Sequence, residues 1–182
     1  SNGQRLLDTI SGLIELSRLQ SGDFVLCNEV FNLNKLLVSI GDTYKEHNNI
    51  HSGKVQFNMS LPTNQLWINS DKTRLTQIIV QLLENAIKFT DQGIVALALE
   101  IRSGNIAIIV QDNGLGIHHE HTSEIFEYFG KDHLKTHPLE GAGLGLAIAY
   151  HNSLAIGGNL ELKPMQSEGT RFELSMPHEF TQ

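Results

Sequence analysis

Asp112-Asn113-Gly114-Leu115-Gly116-Ile117 is the first of two glycine runs, and the second, Gly141-Ala142-Gly143-Leu144-Gly145-Leu146, continues directly into an apolar stretch. Glycines at alternate positions let a backbone approach an anion closely, because no Cβ stands in the way and positive φ costs little. A glycine loop that opens into a helix points free N–H groups at a phosphate. The pair predicts a nucleotide held at both ends, whereas one such run alone is more typical of a turn.

The two glycine runs match neither of two common phosphate-binding patterns, the P-loop and the dinucleotide-binding fingerprint. No Lys-Ser or Lys-Thr pair follows the glycines, so neither is a P-loop. The dinucleotide fingerprint needs a further glycine, which Leu146-Ala147-Ile148 does not supply. The rest of the chain must therefore decide what the two runs bind.

Composition limits the possibilities. The 182 residues, 40% of them hydrophobic, suit one domain with a real core. The net charge of −7 argues against a nucleic-acid partner, so a polyphosphate would need local donors and a metal. The single Cys27 excludes an internal disulfide and fits a reducing compartment. No apolar run is long enough to span a bilayer, and none is typical of a signal peptide.

Hydrophobic periodicity predicts alternating helices and strands. Residues 4–20 are predicted to form an amphipathic helix that stops at Gly22 and carries an apolar stripe including Leu6, Ile10 and Leu13. The stripe either docks on its own domain or belongs to a helix that is half of a helical hairpin, and we favour the second interpretation. Residues 113–141 show little periodicity, which is typical of a functional or mobile loop. Further helices are expected from a cap at Asn32, over 71–89 and over 143–156, and strands within 24–31 and over 55–61, 66–68, 94–101, 105–111, 159–163 and 169–176.

The helix over 71–89 carries Gln81, Asn85 and Lys88 on one face, because they are spaced by four and then three residues. The amide oxygen of Asn85 can ligate Mg²⁺, the ammonium of Lys88 offers a point charge to a phosphate, and Phe89 can lie against an adenine ring. Taken singly, each polar residue is more typical of a solvated surface or a structural hydrogen bond. Asp112 ends a strand, where it either accepts a hydrogen bond from an exocyclic amine or starts a turn.

Five segments in order complete the pattern. They are Asn85-Ala86-Ile87-Lys88-Phe89, the first glycine run, Ile125-Phe126-Glu127-Tyr128-Phe129, the second glycine run, and Glu168-Gly169-Thr170-Arg171-Phe172. In order and spacing they resemble the catalytic, ATP-binding domain of a two-component sensor histidine kinase, in which the first four are the N box, first glycine box, F box and second glycine box. The resemblance covers roughly residues 31–177. Residues 16–22 resemble the end of the second helix of the dimerisation and phosphoacceptor hairpin.

This resemblance implies a Bergerat-type fold of the GHKL superfamily: an α/β two-layer sandwich, with a mixed sheet and helices on one face, preceded by a short helical segment. It divides the chain into hairpin residues 1–22, a linker or short strand at 23–31, and an ATP-binding domain at 32–178 with a lid at about 114–140. Ser1 and Asn2 are expected to be a cloning remnant.

The resemblance also implies ATP and Mg²⁺ as cofactors. It assigns Asp112 to adenine recognition, Asn85 to Mg²⁺ and Lys88 to phosphate, with Asn85 and Lys88 as the catalytic residues. Lys131 is equally typical of a solvated lid lysine. The other nucleotide-binding residues it implies are Phe89, Gly114, Gly116, Ile117, Phe126, Phe129, Lys131, Gly141, Gly143, Leu144, Gly145, Leu146 and Thr170.

The chain departs from the family pattern at two points. Gln81 stands where the family has Asn, which leaves a direct contact of Gln81 with Mg²⁺ open; Gln81 also cannot act as the general base of a gyrase-like ATPase. An H box is missing, since His119-Glu120 lies in the lid, and His118, His119 and His121 lack zinc-site spacing. The acceptor histidine is therefore expected upstream of Ser1.

The function predicted from these observations is donation of the ATP γ-phosphoryl to that histidine. The expected partners are the phosphoacceptor hairpin of the same parent protein, a second copy in a homodimer, and a response regulator receiver domain. Two alternatives are a non-catalytic nucleotide-binding signalling module, favoured by Gln81, and a stand-alone GHKL ATPase. The resemblance implies a cytoplasmic domain and leaves open whether the parent is anchored in the inner membrane.

Overall fold

The computed structural model describes residues 2–46, 50, 53–117, 125–126 and 144–178. Every helix and strand expected from the sequence is present in these ranges. The described helices are α1 (Asn2–Ser21), α2 (Leu33–Lys45), α3 (Lys72–Lys88) and α4 (Leu144–Ala155). The described strands are β1 (Asn28–Asn32), β2 (Val55–Ser60), β3 (Trp67–Asp71), β4 (Gly93–Arg102), β5 (Asn105–Asp112), β6 (Asn159–Leu162) and β7 (Thr170–Pro177).

Local signals set the ends of the helices. The side chain of Asn32 caps α2 by accepting the Lys35 N–H at 2.9 Å, and Asp71 caps α3 by accepting the Arg74 N–H at 3.0 Å. Each cap satisfies a backbone donor that has no partner within the helix. Helix α1 ends at Gly22, whose φ of 73° suits the left-handed conformation of a C-terminal cap.

The main sheet has five strands in the order β2-β4-β5-β7-β6. Only β2 and β4 pair in parallel, and the other neighbours are antiparallel, so the sheet is mixed. Strands β4 and β5 form a hairpin turned at Gly104, which has a φ of 74°. The register places Asp112, at the end of β5, between Val95 of β4 and Thr170 of β7.

The two faces of this sheet differ in chemistry. Alternate apolar side chains of β4, β5 and β7 share one core with α2, α3 and α4. On the opposite face, Arg102 donates to both carboxylate oxygens of Glu173, at 2.6 and 3.0 Å, and this pairing holds the pKa of Glu173 below its ordinary value. The expected two-layer α/β sandwich with helices on one face is thus confirmed.

Strand β1 belongs to the body of the domain. It pairs antiparallel with β3 in a separate two-stranded sheet, with Phe31 opposite Ile68. Both side chains are buried and join the main core. The segment 23–31, expected to be a linker or a short strand, therefore ends in a strand that packs on the domain.

Helix α1 packs on α4 through residues that lie outside the apolar stripe. Leu16 and Leu19 are buried, and Leu16 contacts Leu144 and Ala147 of α4. The apolar stripe stays largely open, with Leu7 59% and Ile14 50% exposed. Among the described helices, none combines the length and the apolar character needed to cross a membrane.

Candidate functional site

The C-terminal half of α3 presents the polar residues that the spacing predicted. Asn85 is half-buried and Lys88 is exposed, with its Nζ 5.4 Å from the centre of the Phe89 ring. Phe89 is half-buried and ends the helix by donating its N–H to the Asn85 carbonyl at 3.0 Å. The apolar side of α3 is fully enclosed, so the orientation of the helix is fixed by its core face.

Asp112 is a buried carboxylate at the end of β5, with 5% of the residue exposed. Its Oδ1 accepts the Gly114 N–H at 2.9 Å, which makes it a turn-forming aspartate. Thr170, its partner on β7, donates a backbone N–H and a hydroxyl. Burial nevertheless raises the pKa of Asp112, because these hydrogen bonds oppose the loss of solvation only in part. A further donor from a ligand would stabilise the ionised form.

The first glycine run sits directly on the end of α3. Leu115 donates its N–H to the Phe89 carbonyl at 3.2 Å. A Cβ on Gly114 would overlap that carbonyl and lie 2.9 Å from the Thr90 hydroxyl oxygen. Gly114 is therefore a glycine for lack of space, and this close approach joins the Asp112 turn to the helix end that carries Asn85.

Two more glycines complete the first loop. Gly116 has a φ of 71°, and a Cβ there would lie 3.1 Å from the Gly169 carbonyl oxygen. Gly169, with a φ of 124°, passes so close to the Asp112 carbonyl that a Cβ would overlap it. Position 169 is therefore glycine for two reasons, its positive φ and the lack of space for a Cβ.

Sequence reasoning missed three residues that support this loop. The buried hydroxyl of Thr90 donates to the Ala86 carbonyl at 2.7 Å and stands against Gly114. Asn113 accepts the Ile94 N–H at 2.7 Å, in a space that Gly93 leaves open. The sequence signals were the position of Thr90, directly after the Asn85–Phe89 segment, and that of Asn113, inside the first glycine run; Gly93 had none.

The second glycine run is described from Leu144 onward. Helix α4 begins there, so the N–H groups of its first turn have no partner within the helix. The Leu144 side chain is buried against Leu16 of α1, and Leu146 packs on the main core. Gly145 lies against the carboxamide of Gln81. Of the predicted binding residues, Gly141 and Gly143 lie outside the described residues.

The predicted lid is described only at its beginning and at residues 125–126. Ile117 and Phe126 pack on the main core. The Phe126 ring stacks on Tyr150 of α4, with centroids 4.9 Å apart, and meets Phe172 edge-on at 6.1 Å. Phe129 and Lys131, with most of the predicted lid, lie outside the described residues.

The described groups at this end of the sheet can bind a polar ligand at several points. The Asp112 carboxylate can accept a hydrogen bond from an amine, and the start of α4 favours an anion. Within the described ranges, no group of three or more His, Cys, Asp or Glu side chains could hold a metal ion. The amide oxygen of Asn85 is of the type that hard cations such as Mg²⁺ accept as a ligand.

Comparisons with known proteins agree with this architecture. Residues 70–179 match the family described as Histidine kinase-, DNA gyrase B-, and HSP90-like ATPase. The autoinducer 2 sensor kinase/phosphatase LuxQ of Vibrio cholerae is 32% identical over 187 residues, which cover 100% of this chain and 22% of LuxQ. The sensor histidine kinase WalK of Bacillus subtilis is 27% identical over 96% of this chain and 29% of WalK. The chain thus spans under a third of the length of these relatives.

Two solved structures are similar over most of the chain. Full-length ShkA in complex with AMPPNP superposes with a TM-score of 0.83 and 26% identity, covering 97% of this chain and 36% of ShkA. The histidine kinase ThkA, in complex with the response regulator protein TrrA, has a TM-score of 0.72 and 22% identity, covering 95% of this chain and 49% of ThkA.

Proposed function

The chain belongs to the family of histidine kinase-, DNA gyrase B- and HSP90-like ATPases, and from this premise we propose that residues 32–178 are the ATP-binding catalytic domain of a sensor histidine kinase. The domain binds ATP and donates its γ-phosphoryl group to a histidine outside this chain. The relatives named above are a sensor kinase/phosphatase and a sensor histidine kinase, and the ShkA structure holds the ATP analogue AMPPNP.

One observation carries the proposal. The Asp112 turn and the Asn85 end of α3 are held together by the Leu115–Phe89 hydrogen bond and by the close approach of Gly114. A carboxylate suited to a base amine therefore stands at the same end of the domain as an amide suited to a metal-bound phosphate. Neither group by itself indicates a nucleotide.

We propose a role for each of these residues. Asp112, oriented by Thr170 and Gly114, accepts a hydrogen bond from the exocyclic amine of adenine, and Phe89 lies against the ring. Asn85 ligates Mg²⁺, and Lys88 neutralises phosphate charge. The first turn of α4 receives the phosphates. The remaining lid and glycine-run residues that we include are Gly116, Ile117, Phe126, Phe129, Lys131, Gly141, Gly143, Leu144, Gly145 and Leu146.

The reaction is an in-line phosphoryl transfer. A nitrogen of the acceptor histidine forms a bond to the γ-phosphorus while the bond to the bridging oxygen breaks, and ADP leaves with that electron pair. The residues of this chain mainly position the nucleotide and offset its negative charge. Bound Mg²⁺ would supply further charge neutralisation at the phosphates.

The other proposed partners either belong to the parent protein or bind to it. We propose that residues 1–22 are the C-terminal part of a dimerisation and phosphoacceptor hairpin, and that 23–31 connect it to the domain. The exposed stripe of Leu7, Ile10 and Ile14 supports this, because an apolar helix face normally has a partner. We also propose a second copy, in a homodimer, and a response regulator receiver domain as partners of the parent protein; ThkA has been solved in complex with the response regulator protein TrrA. We further propose a cytoplasmic location for the domain, because its proposed substrate, ATP, is available there.

The test compares this chain with a longer chain that includes the upstream hairpin. We expect both to bind Mg-ATP by calorimetry, and only the longer one to acquire acid-labile label from γ-labelled ATP. Asp112→Asn should reduce binding, while Asp91→Asn, at an exposed position after α3, serves as the control. Binding without transfer in the longer chain would favour a non-catalytic signalling module, and steady ATP turnover by this chain would favour a stand-alone ATPase.

A further inference from the structure

Gly145 lacks a Cβ for a reason that lies on another helix. Its backbone is helical, and it is absent from the glycines that adopt positive φ. A Cβ at this position would overlap Oε1 of Gln81 and lie 3.1 Å from the Gln81 Cδ. The space that a Cβ would take is therefore occupied by the Gln81 carboxamide, and a side chain at position 145 would have to displace it.

Gln81 belongs to a polar seam between α3 and α4. Arg74, two turns earlier on α3, donates to the Asn152 Oδ1 at 2.6 Å, and Asn152 donates to Gln77 Oε1 at 3.4 Å. Early residues of α3 thus meet the end of α4, and Gln81 meets its start at Gly145, so the helices run antiparallel. Gln81 makes the contact of this seam that is nearest to the first turn of α4.

The position of Gln81 links two parts of the proposed nucleotide site. Asn85 lies one helical turn after Gln81 on α3, and Lys88 follows three residues later on the same face. On the other side, Gly145 is in the first turn of α4, whose N–H groups have no partner within the helix and point toward an anion site. The carboxamide of Gln81 thus lies against the first turn of α4, at the point where α4 comes close to the Asn85 end of α3.

We propose that Gln81 is a positioning residue that sets the separation between the first turn of α4 and the Asn85 face of α3, and through it the strength of phosphate binding. This inference rests on the proposed function. It differs from a role for Gln81 as a Mg²⁺ ligand, because the contact that carries it is made with the backbone of α4.

The test is a double-mutant cycle of Gln81→Ala, Gly145→Ala and the combined variant, with affinities measured for adenosine, metal-free ADP and Mg-ADP. Each single change should weaken ADP binding about tenfold, since it moves the positive end of α4 relative to the phosphates. The affinity for adenosine should stay within about twofold of the wild-type value. The combined variant should bind ADP no worse than either single variant, because the new methyl group fills the space of the lost carboxamide.

The matched control is Gln77→Ala, which removes the neighbouring seam contact but not the one at Gly145. Its effect should multiply with that of Gly145→Ala. If the fold-losses in ADP affinity of Gln81→Ala and Gly145→Ala multiply in the combined variant, the inference is overturned. A loss of affinity confined to Mg-ADP would also overturn it, because it identifies a metal ligand. So would an equal loss of affinity for adenosine, which identifies a general structural role. Failure of the wild-type chain to bind ADP would overturn the proposed function itself.

Discussion

Replacing Gly114 with alanine tests the close approach that assembles the site. Gly114 does not have positive φ, so the new Cβ costs little in backbone conformation. It would, however, overlap the Phe89 carbonyl and press on the Thr90 hydroxyl. The first glycine loop must then move away from the end of α3, and Asp112 must adjust with it.

The expected loss of stability follows from these contacts. Overpacking costs about 1–3 kcal/mol, and losing the Leu115–Phe89 hydrogen bond costs about 0.5–1.5 kcal/mol. Reduced freedom of the unfolded chain returns about 0.4–1 kcal/mol. The net loss is about 2 kcal/mol, which lowers the urea midpoint by about 1 M for a slope near 2 kcal/mol per molar.

Measuring ATP affinity distinguishes a displaced glycine loop from a general loss of stability. Gly104→Ala, in the β4–β5 turn, places a side chain at a φ of 74° in open space and should cost about 1–2 kcal/mol. We expect both variants to lose stability and only Gly114→Ala to lose ATP affinity, by about tenfold or more. If Gly114→Ala unfolds within about 0.5 kcal/mol of the wild type, or binds ATP as tightly, the reasoning from close approach is wrong.

Three further predictions concern charged groups and the proposed Mg²⁺ ligand. Asp112→Asn should weaken ATP about tenfold or more at neutral pH, and wild-type affinity should fall as acid protonates the carboxylate through its raised pKa, as titrations across pH would reveal. Arg102→Ala should cost about 1–3 kcal/mol in urea unfolding at neutral pH, because Glu173 loses its bidentate partner. Asn85→Ala should weaken Mg-ATP but not metal-free ATP, whereas Lys88→Ala should weaken both.

The Arg102 prediction also has a defined pH dependence. The pKa of Glu173 is lower in the folded state, so the pair stabilises the protein above the unfolded pKa and loses this contribution as pH falls through the folded pKa. The gap between the wild type and Glu173→Gln should therefore close on acidification. A gap that stays constant down to low pH would show that the carboxylate charge is not what stabilises this face of the sheet.

The positions of the helices and strands could be read from the sequence because their signals are local. The caps at Asn32 and Asp71 involve residues three positions apart, and the hairpin at Gly104 needs only its own turn. The apolar period of α3 likewise predicted its core face. The order of the motifs then indicated the family, since it depends on residue identity and spacing alone.

Tertiary structure alone decided which surfaces meet. The sequence left open whether the apolar stripe of α1 docks on the domain; Leu7, Ile10 and Ile14 are exposed, and Leu16 packs on α4. Which face of an amphipathic helix packs depends on the shape of its neighbour. Thr90 against Gly114, and Gln81 against Gly145, join residues that are far apart in the chain or belong to different elements. The sequence by itself predicted that two glycine runs border a nucleotide site, because that prediction needs only residue identity and spacing. Why position 114 is glycine, and which side chain faces position 145, became clear only from the atoms that would occupy the space of a Cβ.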